Sequence, residues 1–166
     1  MKTEKFRYLA GIVAAHPGRK VVGRTRLQKT VKLLQRLGLP TDYDYMNYFY
    51  GPYSAGVQSD IGLLERLGAI SEVQHSGQDD STYYVIRAEP NMDLPQLKPF
   101  QKYIDLMDDT DPVVLELAAT YDSYREMGVD HDEALQRLRA KKGGKCKEGR
   151  EEQALKLLER LGLPFN

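Results

Sequence analysis

The 166 residues are enough for one domain, or for one domain with an appended tail, and a hydrophobic fraction of 41% suffices for a packed core. No apolar run approaches the ~20 residues that a membrane-spanning helix needs, and the charged stretch Met1–Arg7 lacks the features of a secretory signal. A single cysteine, Cys146, excludes an internal disulfide framework and favours a reducing, cytoplasmic location.

The net charge of zero hides a strong segregation of charge along the chain. Residues 1–40 carry ten Lys/Arg and one acid, a net of +9, and residues 41–134 carry five Lys/Arg and nineteen acids, a net of −14. Residues 135–166 carry nine Lys/Arg and four acids, a net of +5. This asymmetry indicates either an anionic partner at one face, or basic and acidic segments that face each other in the fold or in a homodimer.

The first predicted elements are two helices. Apolar residues at helical spacing predict a helix over Lys2–Ala15, which a Pro-Gly pair ends. A short connector at 19–23 leads to a second helix, for which Thr25 is the expected N-cap and Gln28 the second member of a capping box. This helix is expected to stop at Gly38.

The middle of the chain predicts an extended segment, a helix and a hairpin. Residues 41–50 are rich in aromatics and favour a strand, with a short helix as the alternative, and the Gly-Pro pair that follows is expected to break that element. Ser54 is expected to cap a helix over Ala55–Leu67. Strand formers at 69–73 and 81–87 flank a polar, Gly-containing gap, which predicts a hairpin.

The C-terminal part predicts more helices. A Pro-containing linker at 89–97 leads to a short helix at 99–107. Asp111, followed by proline, predicts the start of a longer helix, and Asp130 opens another through a capping box. A last helix is expected over Glu151–Leu161.

These elements predict a mostly α protein with a small β-hairpin. Helix, basic helix, helix and hairpin is the element order of a winged helix-turn-helix domain. We therefore expect a winged-helix-like domain over residues 1–88 and a C-terminal helical extension over residues 89–166.

No catalytic constellation is recognisable in the sequence. The three histidines are far apart, the cysteine stands alone, and Ser54 is explained more simply as a helix cap than as a nucleophile. No phosphate-binding Gly-rich loop occurs. The sequence therefore predicts no enzyme activity, no catalytic residues, no cofactor and no metal site.

The basic second helix indicates DNA as a partner. Four of its cations recur three or four residues apart on one face, where flexible cations can contact phosphates, although a solvated face without a partner is the alternative. The third helix is not basic and the hairpin tip carries Asp79 and Asp80, so any DNA is expected at the earlier helix. The predicted nucleic-acid-binding residues are Arg19, Lys20, Arg24, Arg26, Lys29, Lys32 and Arg36.

The aromatic turn before the third helix indicates a protein partner. Clustered aromatics fill either an interface or a core, and Tyr50 and Tyr53 are the ones expected outside the core. The predicted partner-binding residues are Tyr50, Gly51, Pro52, Tyr53 and Ser54.

These two motifs also carry a family resemblance. The helix start Thr25–Lys29 (TRLQK), the turn Tyr48–Ser54 (YFYGPYS) and the helix end Leu67–Ile70 (LGAI) together resemble the YwgA-like bacterial and archaeal proteins. They are more distantly similar to the Panacea antitoxin domain, with its Leu-x-Lys helix and Tyr-Gly-Pro turn. The resemblance covers about Phe6–Ile86. It implies a winged-helix-like fold and, through the Panacea relatives, a role in neutralising a toxin protein.

Two functions therefore follow as expectations. The leading one is a DNA-binding transcriptional regulator whose basic helix contacts phosphates. The alternative is an antitoxin-type protein-interaction module with no direct nucleic-acid binding, whose partner is a protein such as a toxin.

Overall fold

The computed structural model describes residues 4–166, which are mostly helical with two small antiparallel sheets. Short 3₁₀ turns lie at Pro17–Arg19, Pro95–Phe100 and Gly143–Cys146. In chain order, the other elements are α1 (Lys5–Ala15), β1 (Lys20–Val22), α2 (Arg24–Arg36), β2 (Met46–Tyr48), β3 (Gly51–Tyr53), α3 (Ala55–Arg66), β4 (Ile70–Ser76), β5 (Thr82–Ala88), α4 (Gln101–Asp108), α5 (Pro112–Glu126), α6 (His131–Lys142) and α7 (Arg150–Leu161).

The described chain forms two compact units, and neither is continuous in sequence. The first unit holds the residues up to Tyr45 together with Ser54–Asp109. The second holds Met46–Tyr53 together with Thr110–Asn166. The middle segment that carries the aromatic turn therefore belongs with the C-terminal helices.

The first unit extends beyond residue 88, after which the sequence predicted a boundary. Helix α4 packs against α1 and α2, and this packing buries Ile104 and Met107. Residues 89–109 thus belong to the first unit rather than to a C-terminal extension, and their buried side chains contribute to its core.

The three-stranded sheet of the first unit has the strand order β1-β5-β4, and all its pairings are antiparallel. Strands β4 and β5 form the predicted hairpin. Strand β1 lies where the sequence predicted a connector, so that prediction is wrong. Its central residue Val21 is buried and lies opposite the buried Ile86. Three residues are too short to give a period, and their pairing partners lie more than sixty residues away.

Helix α2 begins one residue before the predicted cap. Gly23 is the N-cap residue, with φ of 98°, and its N–H donates to Tyr84 O at 2.7 Å. A glycine takes this conformation without strain, so the chain can turn from β1 into the helix. Thr25 lies inside the first turn and is exposed, and α2 has no side-chain cap hydrogen bond. The predicted capping box is therefore wrong.

Two glutamine side chains of α2 instead bind the backbone of another segment. Gln28 Nε2 donates to Ser54 O at 3.0 Å, and Ser54 N donates to Gln28 Oε1 at 2.9 Å. Gln35 Nε2 donates to Tyr43 O at 3.0 Å, while Gln35 Oε1 accepts from Tyr43 N at 2.8 Å. Seven residues are about two helical turns, so both amides lie on one face, ~10 Å apart along the axis.

The other three predicted helix caps, Ser54, Asp111 and Asp130, are confirmed. Ser54 Oγ accepts from Val57 N at 3.2 Å at the start of α3. Asp111 Oδ2 accepts from the first two backbone N–H groups after Pro112, at 2.9 and 3.2 Å. Asp130 Oδ1 accepts from Glu133 N at 2.9 Å. Each carboxylate or hydroxyl satisfies an N–H that has no partner within its own helix.

The second unit is built around α5. All residues from 114 to 124 of this helix are buried, and α6, α7 and β3 pack against it. Fully buried side chains on three helices, among them Leu117, Leu138 and Leu158, form its core. A helix that is buried all round is the centre of its unit rather than an amphipathic surface helix.

The Gly-Pro pair, predicted to break an element, begins a strand. Strands β2 and β3 form a hairpin in which Tyr48 lies opposite Gly51, so Phe49 and Tyr50 form its turn. Gly51 has φ of 92°, a conformation that costs glycine little. Pro52 lies opposite Asn47 and has no N–H to donate, which a two-stranded ribbon tolerates because β3 is also an edge.

We expect Gln28→Ala to lower the free energy of unfolding by about 1–3 kcal/mol, because it leaves the buried N–H of Ser54 without its partner and leaves the Ser54 C=O with only the N–H of Gln58. Chemical denaturation followed by circular dichroism measures the effect. Gln153→Ala removes an exposed glutamine of α7 and should change the free energy by no more than about 0.5 kcal/mol. Equal effects of the two substitutions would contradict a structural role for the Gln28 amide.

Candidate functional site

Two of the cations predicted to contact DNA are buried. Lys29 is 2% exposed and Lys32 is 3% exposed. The Lys32 ammonium lies 5.3 Å from the centre of the Tyr45 ring. An ammonium group that solvent does not reach cannot contact a phosphate of a duplex outside the fold. These two positions therefore leave the predicted contact set.

Two arginines of the set have acidic partners within the first unit. Arg19 donates to both carboxylate oxygens of Asp93 at 3.0 Å. Arg24 pairs with Glu72, its Nε lying 2.9 Å from that carboxylate, and its guanidinium lies 3.7 Å from the centre of the Tyr84 ring. The hydrogen bond to Glu72 raises the pKa of Arg24.

The remaining cations of the set differ from one another. Arg26 Nη1 donates to Met107 O at 2.7 Å, so the guanidinium binds a carbonyl at the C-terminal end of α4, where a positive charge is favourable. Arg36 is half-buried. Lys20 is exposed on β1 and lies opposite the exposed Arg87 of β5.

Of the residues predicted to bind a protein partner, three are buried. Gly51 and Pro52 lie in β3, which packs on α5, and Ser54 is occupied by its cap and by the Gln28 amide. Tyr53 is half-buried, and its ring meets the Tyr48 ring edge-on, with centroids 5.4 Å apart. Only the fifth predicted residue, Tyr50, is exposed. These three buried positions present no exposed side chain, and partner binding by this segment stays a prediction.

The exposed part of the hairpin is its first strand and its turn. Phe49 is 87% exposed, Met46 66% and Tyr50 62%, and about half of Tyr48 is exposed. We call these four residues the tip surface. Sequence reasoning missed three of them, because aromatic residues favour strands and the only local turn signal was the Gly-Pro pair that follows.

A buried ion pair of the second unit holds the turn. Lys142 Nζ donates to Phe49 O at 2.9 Å and lies 3.0 Å from Glu116 Oε2. Both side chains are buried. Lys142 thus joins α5 and the end of α6 to the backbone of the turn. Because a buried charge is costly unless it is paired and hydrogen-bonded, these contacts restrict the turn to one position within the unit.

A second lysine lies against the turn. Lys145 Nζ is 3.0 Å from Glu116 Oε2 and 5.1 Å from the centre of the Tyr50 ring. One carboxylate therefore serves two ammonium groups, which leaves an excess of positive charge beside the tip surface. Lys141, the residue before Lys142 on α6, is exposed overall, and the partial burial of its ammonium and the charge of Lys142 lower its pKa.

The structure also bears on metal binding, on the reactivity of the cysteine and on membrane insertion. Within residues 4–166, no three His, Cys, Asp or Glu side chains are placed to hold a metal ion. Burial raises the pKa of the Cys146 thiol, which disfavours the reactive thiolate. No helix in the described part of the chain is long and apolar enough to cross a membrane.

Comparisons with known proteins give one named relative. The chain is similar to "Uncharacterized protein YwgA" of Bacillus subtilis (strain 168), with 28% identity over 109 residues. The match covers 61% of this chain and 64% of that protein, so it spans just under two thirds of the relative's length. This similarity supports the YwgA-like part of the resemblance. No family model matches the chain.

We expect Lys142→Met to lower the free energy of unfolding by about 1–3 kcal/mol, because it removes the donor to Phe49 O, while Glu116 keeps its ion pair with Lys145. Urea denaturation measures the change. Lys147→Met provides the matched control, since Lys147 is exposed and should tolerate the change within about 0.5 kcal/mol. If Lys142→Met leaves the free energy of unfolding unchanged, the ion pair does not hold the turn.

Proposed function

We propose that this protein is a non-enzymatic protein-interaction module and that the tip surface is its contact element. The observation that carries the proposal is the exposure of Met46, Phe49 and Tyr50 on a turn whose backbone is held by the buried Lys142. Large apolar side chains that are both exposed and held in place indicate an interface.

The energetics of the tip surface suit protein recognition. Burying an exposed side chain such as Phe49 contributes about 1.5–3 kcal/mol. Aromatic residues at the centre of a contact carry much of the binding energy in protein complexes. Because Lys142 already fixes the turn, little conformational freedom is lost when a partner binds.

The same proposal includes a winged-helix-like first unit and an antitoxin type of partner. The order helix, strand, helix, helix, hairpin, with the strand order β1-β5-β4, supports the winged-helix assignment. A toxin protein is the partner implied by the resemblance to the Panacea domain. In this proposal the winged-helix-like unit acts as a scaffold rather than as a reader of DNA.

The test places a photo-crosslinking amino acid at position 49 of the full-length protein in its native host. We expect one protein to crosslink at this position and not at position 127, where Met127 is an equally apolar, exposed control. The crosslinked protein, purified separately, should form a stoichiometric complex with the wild type. Loss of that complex in a Phe49→Ser/Tyr50→Ser variant that remains folded would support the proposal.

The proposal fails if the reconstituted complex forms equally well with the double variant. It also fails if positions 49 and 127 crosslink to the same set of proteins, since such capture would not depend on the tip surface.

DNA binding remains a second candidate, and one observation favours it. Lys20 and Arg87 are exposed directly opposite each other on β1 and β5. Two like charges at such positions destabilise a sheet slightly, and an anion would relieve their repulsion. Phosphate contacts would then come from the sheet rather than from the buried lysines of α2.

Fluorescence anisotropy with random-sequence duplex DNA tests this candidate at roughly 50 and 200 mM salt. DNA binding predicts affinity that falls steeply with salt, and a Lys20→Gln/Arg87→Gln variant should weaken it while Lys156→Gln, an exposed control on α7, should not. Absence of binding by the wild type at the lower salt would exclude DNA as a partner.

A further inference from the structure

We infer that the partner of the tip surface presents an acidic segment with an apolar anchor. This inference rests on the proposed function and specifies the chemistry of the partner. It follows from the charges that surround the turn in the second unit, which the aromatic side chains alone do not reveal.

The hairpin itself is uncharged. Residues 46–53 contain no charged side chain, so the hairpin contributes contact area but no electrostatic preference. Any preference must come from the side chains that touch it. The contacts to its turn come from Lys142, through Phe49 O, and from Lys145, through the Tyr50 ring.

The charged side chains beside the turn do not cancel one another. Lys142 and Lys145 share the carboxylate of Glu116, so the three groups together carry a net single positive charge. Lys141, the residue before Lys142 on α6, is exposed and adds a further cation to this end of the helix. The tip surface is therefore bordered by positive charge that the second unit compensates only in part.

The tip surface and its lysines suit a partner with both acidic and apolar side chains. Carboxylates at the rim of a contact would pair with Lys145, which lies against the Tyr50 ring, while an apolar side chain at its centre would cover Phe49. Like-charge juxtaposition would in turn disfavour a basic partner. An acidic segment that contains an apolar residue satisfies both parts of the surface.

Two other occupants fit less well. A second copy joined tip to tip about a two-fold axis would place each Lys145 near its own symmetry mate. A single-stranded nucleic acid would stack its bases on the aromatic rings, but Lys145 lies over the Tyr50 ring, and a nucleic acid needs a row of cations along its backbone, whereas Lys142, Lys145 and Glu116 supply one net charge.

The test uses a displayed library of random 12-residue peptides, selected on the purified full-length protein and counter-selected on the Phe49→Ser/Tyr50→Ser variant. We expect the tip-dependent peptides to be enriched in Asp and Glu beside large apolar residues. A synthetic consensus peptide should bind a Lys141→Gln/Lys145→Gln variant at least 10-fold more weakly than the wild type. Its affinity for Lys156→Gln, the matched charge control, should be unchanged.

The outcomes separate this inference from the function it rests on. Tip-dependent peptides that are neutral or basic, or that bind the double lysine variant as well as the wild type, overturn the acidic partner and leave the interaction module intact. Selection without any tip-dependent peptide overturns both. Tip-dependent binding of a labelled dT oligonucleotide, or a tip-dependent dimer in light scattering, assigns the surface to another occupant and also overturns the inference.

If the double lysine variant is unfolded by circular dichroism, the single substitution Lys145→Gln replaces it. Lys145 is the partly exposed lysine that lies against the Tyr50 ring. Removing its charge should weaken binding of the acidic peptide, and an unchanged affinity overturns the inference.

Discussion

Paired hydrogen bonds from two glutamine side chains of α2 are the constraint on which the path of the chain depends. Gln35 holds the backbone of Tyr43 and Gln28 holds that of Ser54, so the first unit fixes the points at which the chain leaves it and returns. Only ten residues lie between those two points, and Met46–Tyr53 of this excursion belongs to the second unit. A primary amide can do this because it offers one donor and one acceptor in a plane, as a backbone peptide does.

The second unit also holds the segment Met46–Tyr53 through its backbone. Lys142 binds the carbonyl of Phe49 and pairs with Glu116, so a buried charged side chain of α6 holds the turn by its backbone. The aromatic side chains are then left for solvent or a partner. Because the turn is held through its backbone, the side chains of the tip surface can vary without loss of the contacts that position the turn.

Much of the positive charge of the first unit serves internal contacts. Arg24 pairs with Glu72, Arg26 binds carbonyls at the end of α4, and Lys29 and Lys32 are buried. Charge segregation along a sequence is thus a weak guide to an anionic partner, because acidic groups and carbonyls of distant segments satisfy the same cations. The alternative raised from the sequence, that basic and acidic segments face each other in the fold, accounts for Arg19 and Arg24 directly.

The sequence by itself determined where the helices lie and three of their caps, Ser54, Asp111 and Asp130, because a cap and an apolar stripe act within a few residues. Only the tertiary structure decided that β1 is a strand, that Gln28 binds Ser54 rather than capping its own helix, and that the Gly-Pro pair packs inside while Phe49 lies outside. Each of these depends on a partner far along the chain, 26 residues away for Gln28 and 93 for Lys142. Burial and long-range hydrogen bonds are properties of that packing, and no local pattern encodes them.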